Sequence, residues 1–364
     1  MLRFFAYLPI FLASCYNIVM RYKFYTTSQK AWDGILSALD GAKKSIYIEM
    51  YIFLDDTKQT HDFLGKLKDK AAAGLEVVII ADAYGSSSLK ASAVSELRAT
   101  GVEFIFFSRW LKRTHRKLVI IDNQIAFFGG VNIENKIRHW QDLQIRLRGR
   151  VLKPLLRSFA YTYQQCGGKN EHILIHSRLP LVKKIKSWVI DTWEFGEGQY
   201  DLNNYYRQKL AEATESIKIV TPYLLPPRWL LASLDDAVRR GVKVEIIIPE
   251  DTDIKPLNQI NHINAARLAS VGVKFYFTPV MNHAKVMLID SREALVGSQN
   301  LDILSFNFNL ELGVFFEQKQ AVSELEKIVN RWQAESRQSE LHFKRVGLFR
   351  RLVMAFFRLF FPFF

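Results

Sequence analysis

Two stretches of the sequence carry the same polar residues at the same spacing: residues 115–132 read HRKLVIIDNQIAFFGGVN, and residues 283–300 read HAKVMLIDSREALVGSQN. In each, a histidine, a lysine, an aspartate, a glycine and an asparagine recur at an offset of 168 residues. A histidine and a lysine two positions apart on a strand face the same side, and the apolar residues after them predict a buried strand. A lone histidine in an apolar strand is more often a core residue, but chance does not account for two matched copies.

Shorter matches extend the repeat beyond these two stretches. Residues 45–48 (SIYI) recur as 216–219 (SIKI), and 101–104 (GVEF) recur as 272–275 (GVKF), both 171 residues later. Between such strands the apolar spacing predicts helices, over residues 59–73, 89–100, 229–240 and 258–271. Strands that alternate with helices indicate βαβ units. The sequence therefore predicts an α/β fold of two duplicated halves, each a mixed, mostly parallel sheet flanked by helices.

Composition excludes several classes of protein. Of the 364 residues, 49% are hydrophobic and 24% are charged, which rules out a disordered or fibrous chain. No unbroken apolar run reaches the roughly 18 residues of a membrane span, so a polytopic membrane protein is excluded. Two cysteines, Cys15 and Cys166, cannot build a disulfide framework or a cysteine zinc site. The net charge of +14 suits nucleic acid, an anionic membrane or a phosphate-bearing substrate, without choosing among them.

The paired motifs resemble those of the phospholipase D superfamily, and the similarity covers roughly residues 24–335. Within that superfamily the chain is most similar to bacterial cardiolipin synthases, in residues 45–56 (SIYIEMYIFLDD), 221–223 (TPY) and 297–311 (GSQNLDILSFNFNLE). Leu111 stands where these synthases often have Asn, and Leu304 where they often have Arg, two differences that bear on substrate specificity. The resemblance implies a duplicated phospholipase D-like fold with the active site between the halves.

The two histidines allow a two-step displacement on a phosphodiester. One attacks phosphorus to form a phosphohistidine, while the other protonates the leaving alcohol and then deprotonates the incoming one. The resemblance implies that the first-half histidine is the nucleophile, so we expect His115 in that role and His283 as general acid and base. The nonbridging phosphate oxygens are expected to bind five side chains, namely Lys117, Asn132, Lys285, Ser298 and Asn300.

Four carboxylates accompany the motifs. Asp142 and Glu311 lie 27 and 28 residues after the motif histidines of their halves, and we expect them to orient the imidazoles. The alternative for both is a solvated surface position. Asp122 and Asp290 are candidate catalytic groups, or equally structural caps at the turns that follow them or ion-pair partners. No metal or other cofactor is expected, because the sequence contains no ligand cluster to hold one.

By this interpretation the chain has five segments. These are residues 1–23, an apolar anchor or signal segment; 24–166, the first half, with its motif at about 109–136; 167–200, a connection; 201–336, the second half, with its motif at about 277–304; and 337–364, a basic, Phe-rich, membrane-binding tail. Within the connection, residues 187–192 are a candidate helix.

Both ends of the chain point to a membrane. The last 22 residues contain eight phenylalanines, and Lys344, Arg351 and Arg358 are spaced to share one helix face. A helix docked on the protein core is the alternative. At the other end, residues 12–15 (LASC) resemble a bacterial lipobox, which would make Cys15 a lipidation site, with a short membrane anchor as the alternative.

The sequence favours a phosphatidyltransferase of cardiolipin-synthase type, which transfers a phosphatidyl group between phospholipids. The alternatives are a hydrolytic phospholipase D or a phosphodiesterase or nuclease that uses the same histidines, and a catalytically inactive membrane scaffold. The Phe-rich tail favours phospholipid and a membrane surface over nucleic acid as partners. The expected location is the bacterial inner membrane, peripheral or anchored, and the sequence sets no oligomeric state.

Overall fold

The first half of the chain forms one sheet with helices on both of its faces. The computed structural model describes residues 21–178, the backbone of residues 187–191, and residues 202–338. The first-half elements are β1 (Arg21–Thr27), α1 (Ser28–Asp40), β2 (Ser45–Met50), α2 (Phe63–Ala72), β3 (Glu76–Asp82), α3 (Ala91–Ala99), β4 (Glu103–Phe107), β5 (Lys117–Ile121), β6 (Ile125–Gly129), a 3₁₀ turn (Asn135–Ile137), β7 (Gln141–Arg148), α4 (Leu152–Gln165) and α5 (Glu171–Ser177).

The second half repeats this order with a few additions. Its elements are β8 (Ser187–Asp191), α6 (Leu202–Glu212), β9 (Ser216–Val220), β10 (Leu224–Leu225), α7 (Arg228–Arg239), β11 (Lys243–Pro249), α8 (Lys255–Ala269), β12 (Lys274–Thr278), β13 (Val286–Ile289), β14 (Glu293–Gly297), β15 (Leu301–Asp302), α9 (Ile303–Asn307), β16 (Leu312–Phe316), α10 (Lys319–Ala334) and β17 (Arg337–Gln338).

The two sheets have matching strand orders, which confirms the duplication. The first runs β1-β7-β6-β5-β2-β3-β4 and the second β8-β16-β14-β13-β9-β11-β12, with β17 added beside β12. In each sheet the βαβ strands, β2-β3-β4 and β9-β11-β12, are parallel, and the other neighbours are antiparallel. The sheets are therefore mixed as predicted, but most of their neighbouring strands are antiparallel. Short turns join β5 to β6 and β13 to β14, and two strands joined by a short turn pair in antiparallel orientation.

Helices cover both faces of each sheet because the central strands are apolar on both sides. Every residue of β5, for example, is buried. One apolar core joins the first sheet to α1, α2 and α3, and another joins the second sheet to α6 and α7 and part of α8. A third core lies between the two sheets and contains α4 and α10. The halves therefore share buried surface, and the edges that carry the two motifs meet.

Some predicted boundaries differ from those observed. The four predicted helices exist with slightly different ends, as α2, α3, α7 and α8. The helix predicted at residues 187–192 is wrong: Ser187–Asp191 is the strand β8, because it pairs with β16, a partner far away in sequence. Residues 21–23 belong to β1 rather than to an anchor segment.

The predicted membrane elements fall mostly on undescribed parts of the chain. Residues 337–338 form β17, and the rest of the tail lies outside the described residues, as do residues 1–20 with Cys15. In the described part of the chain, no helix combines the length and apolar character needed to cross a bilayer.

Candidate active site

The candidate site lies where the halves meet, just before β5 and β13. His115 and His283 precede these strands, and their side chains are almost entirely buried. Each is held through its backbone by the opposite half. The His115 N–H donates to the Leu310 carbonyl at 2.9 Å, and the His283 N–H donates to the Gln141 carbonyl at 2.8 Å. The two motifs are thus fixed in one place by symmetric backbone contacts.

Each imidazole also contacts a carboxylate of the opposite half. His115 Nδ1 lies 3.0 Å from Glu311 Oε1, and His283 Nδ1 lies 2.9 Å from Asp142 Oδ2. The structure therefore brings both predicted acids to the histidines, but crosswise, which spacing within one half could not indicate. An Nδ1–H donated to a carboxylate leaves the lone pair on Nε2. Both histidines therefore present Nε2 as the reactive nitrogen.

Glu311 is held by further donors besides His115. It accepts from Ser298 Oγ at 2.5 Å, Ser305 Oγ at 2.8 Å and Asn309 Nδ2 at 3.4 Å. Although burial opposes ionisation, the nearby His115 and these hydrogen bonds lower the pKa of Glu311 to about 2. Ser298, which was expected to bind phosphate, donates its hydroxyl proton to Glu311 in this arrangement.

The first half has a glycine where the second has Ser298. A Cβ atom at Gly130 would overlap the carboxylate of Asp142. The missing side chain gives this acid the room to reach its position beside His283. The glycine and the serine thus both serve the orienting carboxylates, one by leaving space and the other by donating a hydrogen bond.

The two motif lysines share one buried environment. Lys117 Nζ donates to the His115 carbonyl and Lys285 Nζ to the His283 carbonyl, each at 2.5 Å. Burial is the main reason that the pKa of Lys117 falls to about 7 and that of Lys285 to about 8. The charge of Lys285 also lowers the pKa of Lys117, because two buried cations repel each other.

Both histidines have lowered pKa values, which favours their neutral forms near pH 7. Burial lowers the pKa of His115 to about 4, against the opposing effect of Glu311. Burial and the charge of Lys285 also lower the pKa of His283, although Asp142 opposes them. A neutral imidazole with its lone pair on Nε2 is a competent nucleophile or base.

The two motif asparagines are buried but not equivalent. Asn132 Oδ1 accepts from the Ile52 N–H at 3.3 Å, so its amide nitrogen is the group left to contact a ligand. Asn300 hydrogen-bonds to Asp302, and within the described residues its Oδ1 atom has no hydrogen-bond partner.

Asp122 and Asp290 lie at the far ends of β5 and β13, away from the histidines. Asp122 accepts from the backbone N–H groups of residues 43–45 at 2.7–3.1 Å. Asp290 does the same for residues 214–216 at 2.8–2.9 Å. A strand rises about 3.3 Å per residue, so seven residues from histidine to aspartate span roughly 20 Å. These contacts agree with the structural alternative for both acids, as caps of neighbouring backbone N–H groups.

Aromatic residues beside the histidines were not predicted as site residues. The rings of Tyr51 and His115 lie 4.7 Å apart, those of Trp140 and His283 5.6 Å, and those of Tyr223 and His283 6.2 Å. Tyr51 and Tyr223 each follow a matched strand of the repeat, β2 and β9, and this shared position was the signal that could have identified them. Within the described residues, no three His, Cys, Asp or Glu side chains form a metal-binding group.

Comparison with known proteins identifies the family to which the chain is similar. The family model described as cardiolipin synthase, phospholipase D-like domain, matches residues 35–147 and 206–332, which include both motifs. A probable cardiolipin synthase of Bacillus subtilis is 28% identical over 94% of this chain and 72% of its own length. Cardiolipin synthase 2 of Bacillus cereus is 30% identical over 93% of this chain and 69% of its own length.

A solved structure supports the fold. The crystal structure of phosphatidylserine synthase from Haemophilus influenzae superimposes with a TM-score of 0.75 over 94% of both chains. Its sequence is 16% identical, so this likeness concerns the fold alone.

Proposed function

The chain belongs to the cardiolipin synthase family of phospholipase D-like domains, and on this premise we propose that it is a phosphatidyltransferase that moves a phosphatidyl group between phospholipids. The observation that carries the proposal is the crossed pairing of His115 with Glu311 and of His283 with Asp142. Two oriented imidazoles, each followed by a buried lysine two residues later, are what a double displacement on a phosphodiester requires.

In the first step, His115 Nε2 attacks phosphorus and the bond from phosphorus to the leaving alcohol breaks. His283 gives that alcohol its proton. Burial and the charge of Lys285 lower the pKa of His283, and the negative charge of the bound phosphodiester favours its protonated form. The product of this step is a phosphatidyl group attached to His115.

In the second step, the hydroxyl of the acceptor loses its proton to His283 and attacks phosphorus, and the phosphorus–nitrogen bond breaks. The assignment of His115 as nucleophile is supported by the bonding of the two acids. Glu311 shares its negative charge with three other donors, so it favours a protonated imidazole less than a carboxylate with fewer donors does. Asp142 accepts from the Leu143 N–H at 2.7 Å in addition to His283, and is the better partner for an imidazolium.

The lysines and asparagines stabilise the pentacoordinate transition state. Lys117 and Lys285 are already fixed by hydrogen bonds to the two histidine carbonyls, so their ammonium nitrogens are in position before the substrate arrives. The amide nitrogen of Asn132 adds a neutral donor, and that of Asn300 adds one through the N–H that does not bond to Asp302. Preorganised donors of this kind stabilise developing charge most where water is excluded.

The proposal is tested with the full chain and phosphatidylglycerol vesicles, with products identified by mass spectrometry. Transfer from one lipid to another gives cardiolipin and glycerol in equal amounts, and expression in a cardiolipin-free bacterial strain restores cardiolipin. The matched control is the His115→Ala, His283→Ala double variant. Phosphatidic acid and glycerol without cardiolipin would instead indicate a hydrolytic phospholipase D. Cleavage of an oligonucleotide without lipid turnover would indicate a nuclease.

Such a substrate places the enzyme at a bilayer. We propose a peripheral or anchored position on the bacterial inner membrane, supported by the cationic balance of the chain, which favours anionic lipid surfaces.

A further inference from the structure

The halves differ in the loop that leads into each histidine. Seven residues, 108–114, separate β4 from His115, whereas four residues, 279–282, separate β12 from His283. This difference accounts for the change of the repeat offset from 171 to 168. The first half therefore carries a longer loop at the edge of the sheet where the candidate site lies.

The longer loop exposes a tryptophan among cations. The side chain of Trp110 is 83% exposed, and Arg109 and Lys112 beside it are exposed as well. Arg113 lies 4.4 Å from the ring of Tyr84, a residue 46% exposed on the loop after β3. We call these five residues the Trp110 patch. Neither residues 83–90 nor residues 108–113 contain an acidic side chain.

The base of the loop is fixed to the rest of the fold. An Arg109 guanidinium nitrogen donates to Gln165 Oε1 at 2.6 Å, at the end of α4. The Arg113 carbonyl accepts from the Leu310 N–H at 2.7 Å, and the Leu310 carbonyl accepts from His115. Between these anchors Leu111 adopts a left-handed conformation, with φ of 56°. The exposed Trp110 thus lies three residues before Arg113, whose backbone takes part in the pairing that positions His115.

The corresponding edge of the second half is different in charge. Val280 and Ile254 are exposed there, at 48% and 42%. They accompany three acids on the loop after β11, namely Glu250, Asp251 and Asp253. Glu250 pairs with Arg337 and Asp253 with Lys136, so this edge carries little net charge, whereas the first-half loop carries three cations and would attract an anionic surface more strongly.

We propose that the Trp110 patch docks on a bilayer that contains anionic phospholipids, with Trp110 at the level of the headgroups. Tryptophan favours this interfacial position because its ring is apolar and its N–H is polar. Arginine and lysine near the surface add attraction to anionic lipids. The inference rests on the proposal that the substrate lies in a bilayer, and it names the surface through which the first half approaches it.

The test follows the environment of residue 110 in the full chain and does not measure turnover. In a Cys15→Ser, Cys166→Ser background, Trp110→Cys is labelled with a polarity-sensitive nitrobenzoxadiazole dye. Vesicles of phosphatidylcholine with phosphatidylglycerol should shift its emission to the blue and raise its intensity severalfold, whereas pure phosphatidylcholine should not. The control is the same label at Ile175→Cys. Ile175 is 54% exposed on α5, a helix whose His172 lies 3.6 Å from Glu76 at the start of β3, the opposite edge of the sheet.

A second measurement avoids the label. In vesicle flotation, Lys112→Gln should weaken binding to anionic vesicles roughly fivefold, since one basic residue near the surface contributes about that factor. Lys43→Gln is the matched control, because Lys43 is exposed at the start of β2, at the far edge. A protein that floats with vesicles while the label at residue 110 stays water-exposed would overturn the docking surface and leave the enzymatic proposal standing. A label that responds to duplex DNA and not to vesicles would also overturn it.

Discussion

The two halves have sheets with the same strand order, but the buried residues behind their motif histidines differ. In the first half Arg116, between the motif histidine and lysine, is fully buried and lies 3.3 Å from Glu49 Oε1 and 2.6 Å from Thr162 Oγ1 on α4. In the second half the same positions are Ala284 and Val220, both in the apolar core between the sheets. The site chemistry is therefore duplicated while the layer behind it is not, so the fold tolerates either a buried ion pair or an apolar contact there.

The strongest test of the comparison is whether the halves contribute equally to turnover. His115→Ala and His283→Ala should each reduce phosphatidyl transfer to below about one hundredth of wild type, because acid–base and nucleophilic roles are worth roughly 10²–10⁴-fold or more. Circular dichroism and urea unfolding serve as controls for the fold. Either single variant retaining a larger share of activity would mean that one half suffices.

The interior difference is tested through stability. Arg116→Ala should lower the free energy of unfolding by about 3–5 kcal/mol, because it leaves the Glu49 carboxylate buried without its cation. The double variant Arg116→Ala, Glu49→Val copies the second half and should recover most of that loss. Urea unfolding measures both variants. A double variant as unstable as the single one would show that the ion pair is not an independent unit.

The crossed carboxylates should matter less than the histidines they hold. Asp142→Asn should reduce kcat about 10–100-fold with little change in KM, since a hydrogen bond to a charged group contributes about 1.5–3 kcal/mol. Nitrogen-15 NMR of labelled histidine should show an altered tautomer signal for His283 and an unchanged one for His115. The converse pattern would place Asp142 beside the histidine of its own half.

The two lysines should give the alkaline limb of the pH profile. The pKa of Lys117 is about 7 and that of Lys285 about 8, both below the ordinary lysine value, so their charge is lost as pH rises through this range. Accordingly kcat/KM should fall above about pH 7, by up to tenfold per unit for each lost proton. Lys117→Arg keeps its charge at all these pH values, and its decline should begin later, near pH 8. An unshifted limb in this variant would exclude Lys117 as its origin.

The smallest expected effect is a change in stability caused by substitutions in residues 108–114, the loop that is longer in the first half than in the second. Leu111 has φ of 56°, which costs a side chain with a Cβ roughly 1–2 kcal/mol, and asparagine tolerates this conformation better. Leu111→Asn should raise the free energy of unfolding by up to about 1 kcal/mol. Leu111→Val, a β-branched residue, should lower it. If both variants shift the urea midpoint in the same direction, backbone conformation does not explain the effect.

The sequence was sufficient to predict the features that occur in both halves, and insufficient to predict the contacts made between the halves. The matched spacing of the motifs predicted both histidines, both lysines and the duplicated fold, because equal local patterns form equal local structure. The spacing could not reveal that Glu311 reaches His115, since that contact depends on how the halves pack. The spacing could not reveal either that the hydroxyl of Ser298, just after β14, turns toward Glu311, because this contact depends on the pairing of β14 with β16. Strand β8 was interpreted as a helix because the partner that makes it a strand, β16, lies far away in the chain.

The exchange of acids between the halves is the arrangement that an isologous two-fold dimer produces. A chain containing a single half could obtain the same contacts only by pairing with another copy of itself. Once two copies are joined in one polypeptide, losing the acid from either copy disables the histidine of the other. The reactive positions of the two copies are therefore inherited as one unit, while their loops and interiors are free to diverge, as Trp110 and Arg116 have done.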